Sequence, residues 1–133
     1  MCINILFVNG SSGSLGKVKH WNNGKFAASS LLLVMSINDS DKYKYKYIHQ
    51  YLKHNRAYIC SKYAKGSSKI TINKETFNNL KIPIPSPENQ EKCIQIYQEK
   101  EKFLQSIDDK IEAEKKYIEE LKQLSKDIIY SYC

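Results

Sequence analysis

The sequence predicts a mixed α/β (α+β) fold: a small basic globule containing strands over residues 1–85, then one long helix over residues 86–133. Three observations predict it. A proline-rich segment, Asn79 to Gln90 (NLKIPIPSPENQ), divides the chain. Charge changes sign across it: residues 1–87 hold thirteen Lys/Arg against three Asp/Glu, and residues 88–133 hold eight against eleven. The apolar pattern changes too, from short runs broken by Gly, Ser and Asn to an unbroken helical repeat.

The dividing segment explains its own geometry. Pro83, Pro85 and Pro87 lack backbone donors and push the preceding residues out of helical geometry, so Ile82 to Ser86 must be extended. Ser86-Pro87-Glu88 then reads as a helix start, with Ser86 as the N-cap, Pro87 at the first helical position and Glu88 in the first turn.

The globule opens with Ile3 to Val8, a short apolar run that predicts a buried strand. Asn9 to Gly16 is a glycine-rich loop. It matches neither the dinucleotide-binding GxGxxG nor the phosphate-binding loop, since Val18 follows Lys17. Lys17 to Trp21 is basic and aromatic. Two readings stand for it: a segment that tracks phosphates and base edges, or a hairpin with Trp21 in the core. Asn22-Asn23-Gly24 signals a turn. The second half of Lys25 to Ile37 predicts a central strand, closed by a loop at Asn38 to Asp41. From Lys42 to Tyr63 the spacing of Tyr47, Ile48, Tyr51, Leu52, Tyr58 and Ile59 is helical. Interleaved Lys and Tyr can stack on single-stranded bases, but a tyrosine stripe at this spacing is more often core, and the core reading is preferred. Ala64 to Lys69 is a small basic loop. Ile70 and Ile72 alternate, and Asn73 opens a short helix through Phe77 to Leu80.

In the tail, Leu104, Ile107, Ile111, Glu114, Ile118, Leu121, Ser125, Ile128 and Tyr132 are separated by alternating three and four residues. That is a heptad seam with Glu114 and Ser125 as its polar breaks. A helix from Glu88 to the end would span roughly 65–70 Å at 1.5 Å per residue, too long to fold back on so small a globule. The seam predicts a partner helix.

Several function classes are excluded. Cys2, Cys60, Cys93 and Cys133 form no CxxC or Cys/His zinc spacing, so they read as single thiols. The basic half contains only Asp39, Asp41 and Glu75 as acids, without the paired carboxylates of metal-dependent DNA cleavage. His20, His49 and His54 have no triad context. No catalytic residue, metal site or cofactor is expected. No apolar run approaches membrane-spanning length and Met1 to Val8 lacks the start of a secretory signal, so the expectation is a soluble, cytoplasmic, intracellular protein without a membrane partner.

The order of parts resembles the DNA specificity (S) subunit of type I restriction-modification systems. The resemblance lies in the loop Lys65 to Lys69, the Ile70-Thr-Ile-Asn73 run with its short helix ending at Phe77-Asn-Asn-Leu80, the Ile82-Pro-Ile-Pro85-Ser-Pro-Glu-Asn-Gln90 junction, and the heptad helix. Gly13-Ser-Leu-Gly16-Lys17 is similar to the family's midpoint glycine turn. The resemblance implies the later part of a target-recognition domain plus its spacer helix, where a full subunit carries two of each. The implied function is sequence-specific recognition of double-stranded DNA, without catalysis. It would direct a partner DNA methyltransferase (M) subunit and, through the complex, a restriction (R) subunit.

The candidate DNA-binding residues are Lys17, Lys19, His20, Lys25, Lys62, Lys65, Ser67, Ser68 and Lys69. Lysines would contact phosphates, and loop side chains would reach base edges. With Arg56 as the one arginine, base reading falls to Asn, Gln, Ser and Lys, which favours adenine. Leu104, Ile107, Ile111, Ile118, Leu121 and Ile128 are the candidate partner-helix residues, for a methyltransferase helix or self-association. Two alternatives come from other classes. One is an assembly protein working through its coiled coil with a vestigial globule. The other is a nonspecific single-strand or RNA binder using Lys42 to Tyr63.

Overall fold

The computed structural model describes residues 3–10, 13–21, 31–37 and 42–132. The predicted turn at Asn22-Asn23-Gly24, the loop at Asn38 to Asp41 and the candidate Lys25 lie outside them. The chain forms two units, Met1–Tyr97 and Gln98–Cys133.

In the first unit, β1 (Ile3–Val8), β2 (Val18–Trp21) and β3 (Leu32–Ile37) make an antiparallel sheet of order β2-β1-β3. The register sets Ile5 opposite His20 and Met35, and Phe7 opposite Val18 and Leu33. Side chains alternate along a strand, so Ile5 and Phe7 share one face, and both are fully buried. On the other face Ser36 Oγ donates to Asn4 Oδ1 at 2.7 Å, a cross-strand polar pair.

Two strand expectations are corrected. Among the described residues the 31–37 strand is an edge of this sheet, and β1 is its centre. An apolar run marks a strand but not its place, which depends on which neighbours the turns deliver. Val34 on β3, opposite Leu6 on the face away from Ile5 and Phe7, is 42% exposed. Trp21 is not in the core: it lies on the face opposite Ile5 and Phe7 and is 40% exposed.

The buried face is covered by α1 (Tyr45–His54), α2 (Arg56–Tyr63) and α3 (Lys74–Asn78), whose Tyr47, Ile48, Leu52, Ile59 and Phe77 join Ile5, Phe7, Ile37, Ile72 and Ile94 in one core. Phe7 and Phe77 meet with ring centroids 4.7 Å apart. The helical stretch through Tyr63 is broken at Asn55, where both the backbone N and Nδ2 donate to Tyr51 O, at 3.0 and 2.8 Å. This is the local competition with helix bonding that Asn offers. Asn73 caps α3 as expected, its Oδ1 accepting from Thr76 N at 2.7 Å.

The proline segment is extended and held from two sides. Tyr47 donates its hydroxyl to Pro83 O at 2.6 Å. Gln90, fully buried, accepts from Lys44 N at 2.9 Å and donates to Lys42 O at 2.9 Å and Pro85 O at 2.8 Å. Burial, reinforced by Tyr97 and Cys93, pushes the Tyr47 hydroxyl up to about 12. Helix α4 (Pro87–Ser131) starts where Ser86 Oγ accepts from Asn89 N at 3.3 Å.

In the second unit α4 carries its seam in the open. Leu104, Ile111, Ile118, Leu121 and Ile128 are between 45% and 51% exposed, and Ile107 is 37% exposed. No helix among the described residues is long and apolar enough to cross a membrane. Among the described residues no group of three or more His, Cys, Asp or Glu could hold a metal ion.

Candidate nucleic-acid interface

Two short loops of the first unit build one groove. The first is the glycine turn between β1 and β2. Gly13 and Gly16 take φ of 82° and 80°, a region that L side chains avoid. Gly16 N donates to Val8 O at 2.8 Å and Val8 N to Lys17 O at 2.9 Å, so the turn continues the hairpin ladder. The second loop is closed at its base by the Lys65–Thr71 bridge, with both backbone bonds at 3.0 Å. Gly66 has φ 132°, and a Cβ there would run into the Lys69 carbonyl.

One residue joins the loops. Asn9 donates its backbone N to Leu31 O and accepts from Ile72 N, both at 3.0 Å. Between the loops lies a groove of about 720 Å³, lined by Gly13, Leu15 and Leu31 on one side and by Ser67 to Thr71 on the other. Each side carries an exposed apolar side chain: Leu31 and Ile70 are 42% and 56% exposed. Lys17, Lys65 and Lys69, all exposed, belong to the two loops. Among the described residues before the proline segment, Glu75 is the one acid, so this surface is cationic.

The structure therefore brings together part of the predicted set. Ser67, Ser68 and Lys69 line the groove, and Lys17 and Lys65 sit at the bases of its two loops. Lys19 and His20 separate, because adjacent strand residues point to opposite faces. His20 lies on the helix-packed face, its ring 5.4 Å from His49 and 5.9 Å from Tyr45, and Lys19 lies on the other face. Lys62 on α2 donates to Tyr58 Oη at 3.2 Å and sits over the Tyr58 and Tyr63 rings at 5.5 and 5.3 Å. The hydrogen bond to Tyr58 raises its pKa, so it stays charged.

Sequence reasoning missed Leu15, Leu31, Ile70 and Thr71 as groove residues. Leu15 and Leu31 carry no local signal, because the groove exists only when two loops some fifty residues apart meet. It missed Arg56 as well. The guanidinium donates from Nε to Leu15 O at 2.7 Å and from Nη2 to Gly13 O at 2.8 Å. Arg56, Ala57 and Cys60 line a cavity of about 320 Å³ behind the same turn. Burial pushes the Cys60 thiol up, with Arg56 opposing, so it remains a thiol near neutrality.

The second unit presents the other candidate surface. Leu104, Ile107, Ile111, Ile118, Leu121 and Ile128 fall on one stripe of α4 by their spacing. Phe103, Tyr117 and Leu124, each one residue before a seam position, widen it, at 66%, 61% and 55% exposed. Glu114 and Ser125 interrupt it as expected.

A family model described as the type I restriction modification DNA specificity domain matches residues 4–123. That span holds both loops of the groove and most of α4. No curated protein and no solved structure matches the chain.

Proposed function

This chain belongs to the type I restriction modification DNA specificity domain family, and from that premise we propose that it binds a specific DNA duplex through the groove of its first unit and directs a partner methyltransferase through α4. Domains of this family are DNA-recognition modules rather than catalysts, so its role is in DNA recognition. The observation that carries the reading is the groove between the glycine turn and the Ser67–Thr71 wall. It combines flanking lysines for phosphates with hydroxyls and apolar side chains for base edges and thymine methyls.

The seam on α4 is the docking surface in this reading. It binds a helix of the methyltransferase subunit or the seam of a second copy, and the restriction subunit joins through that complex. Such a protein works on DNA in the cytoplasm. What supports duplex over single-strand binding is the burial of one tyrosine of the Lys42–Tyr63 stretch, Tyr47; Tyr58 there is 56% exposed. Tyr47 is 3% exposed and hydrogen-bonded to Pro83 O, so its ring offers no stacking platform. The open seam equally supports an assembly role for α4 alone, and binding data separate the two.

Mixed duplex, single strand and RNA are titrated at two salt concentrations, with and without a co-expressed methyltransferase subunit. The proposal expects duplex preference and a steep salt dependence. It further expects tightening by the methyltransferase. Replacing Lys17, Lys65 and Lys69 together by Ala should lower the slope of log K against log salt by roughly 3. Absence of binding to all three nucleic acids, with the methyltransferase present, would leave assembly as the function.

A further inference from the structure

Arg56 is the one arginine of the chain. In a DNA-recognition protein a lone guanidinium is expected on a guanine edge or a phosphate, where its fork of donors fits best. Two of its five donors, on Nε and Nη2, are engaged within the protein, on the carbonyls of Leu15 and Gly13. Cys60 Sγ lies 3.6 Å from the same Leu15 carbonyl. A Cβ on Gly16 would sit 2.7 Å from Cys60 Sγ and 3.0 Å from Arg56 Cγ, so the turn rests directly on these two side chains. Gly13 and Leu15 are at the same time one wall of the groove.

A turn with two glycines has many conformations to lose. Charge-assisted bonds from a rigid planar group select one of them. We infer that Arg56 is a positioning residue for DNA recognition: it holds the Gly13–Leu15 wall from behind and thereby sets which sequence the groove accepts, without touching DNA itself. The inference rests on the DNA-recognition reading above. It assigns to α2, far in sequence from the turn, control over selectivity.

The test uses the intact chain as wild type, Arg56→Lys and Arg56→Ala, each checked for folding by circular dichroism. Three quantities are read. They are sequence enrichment from a random duplex library, the salt slope of binding to a mixed-sequence duplex, and amide exchange at Gly16 and Lys17, whose N–H groups bond Val8 O and Ser14 O. Arg56→Ala should reduce enrichment roughly tenfold, the scale of one lost base contact. It should also speed exchange at Gly16 and Lys17 and leave the salt slope unchanged. Arg56→Lys, which keeps the charge but loses the planar fork that spans the two carbonyls, should fall between, and it carries the comparison if the alanine variant does not fold. A salt slope reduced by about 1 would show a direct phosphate contact and overturn the inference. So would unchanged enrichment, or unchanged exchange at the turn. A wild type that enriches no sequence would overturn the recognition reading itself, and the selectivity role with it, even where Arg56→Ala loosens the turn.

Discussion

The two units of the chain treat apolar side chains in opposite ways. In Met1–Tyr97, Ile5, Phe7 and Leu52 are fully buried. In Gln98–Cys133 the regularly spaced Leu104, Ile118 and Leu121 are each close to half exposed. Burial of apolar area drives both folding and association. The first unit has used that drive on itself, whereas the apolar stripe of the second stays exposed. Polar side chains follow the same division. Gln90 makes three buried hydrogen bonds, whereas Gln105 makes an exposed one to Asp109 at 2.9 Å.

The comparison breaks most sharply in the core. Phe7→Ala should destabilise the first unit by about 3–5 kcal/mol, read by urea unfolding, because it removes a fully buried ring and its contact with Phe77. Ile118→Ala should change unfolding of the chain alone by less than about 0.5 kcal/mol. Instead it should weaken helix association, measured by light scattering or by methyltransferase capture. Equal effects of the two substitutions on unfolding would erase the distinction between the units.

The glutamines test the same contrast with polar groups. Gln90→Ala leaves the Lys44 N–H and the Lys42 and Pro85 carbonyls without their partner and should cost about 2–4 kcal/mol. Gln105→Ala should cost about 0.5 kcal/mol or less. Thermal unfolding of both variants decides it.

A smaller effect follows from Tyr47. Burial raises its folded hydroxyl from the ordinary tyrosine value near 10 to about 12. Between those values the unfolded chain releases the proton and the folded chain keeps it, so stability falls as pH rises. The contribution is fully present below about pH 10 and is lost through about pH 12, amounting to about 2–3 kcal/mol at most. Burial raises Tyr51 too, so Tyr47→Phe should flatten part of this alkaline loss. At neutral pH it should cost about 1 kcal/mol for the lost bond to Pro83 O. The smallest effect belongs to the exposed pairs of α4. Breaking Glu112–Lys115 or Glu119–Lys122 should move stability by about 0.5 kcal/mol or less.

Much of the fold was legible because its signals are local. A short apolar run marked β1, proline chemistry marked the extended segment and the start of α4, and the Asn73 cap marked α3. The heptad spacing marked the α4 stripe. Of the tyrosines that read as core, Tyr47 is buried and Tyr51 packs against the core, whereas Tyr58 is 56% exposed. Less legible were features that need a neighbour from elsewhere in the chain. The 31–37 run identified a strand but not an edge. Lys19 and His20, adjacent in sequence, part to opposite faces. Gln90 read as a helix-start residue and acts as the buried clamp of the junction.

By itself the sequence determined most of the helix and strand segments, though not β2 or the break between α1 and α2, as well as where the charge changes sign and that an apolar stripe runs along α4. These follow from backbone propensity and periodicity, which act over a few residues. The tertiary structure alone decided that the glycine turn and the Ser67–Thr71 loop face one another, and that the one arginine serves a carbonyl pair rather than an open surface. Both depend on loop closure across about forty to fifty residues. The core selects those meetings when it packs, and no short-range pattern encodes them.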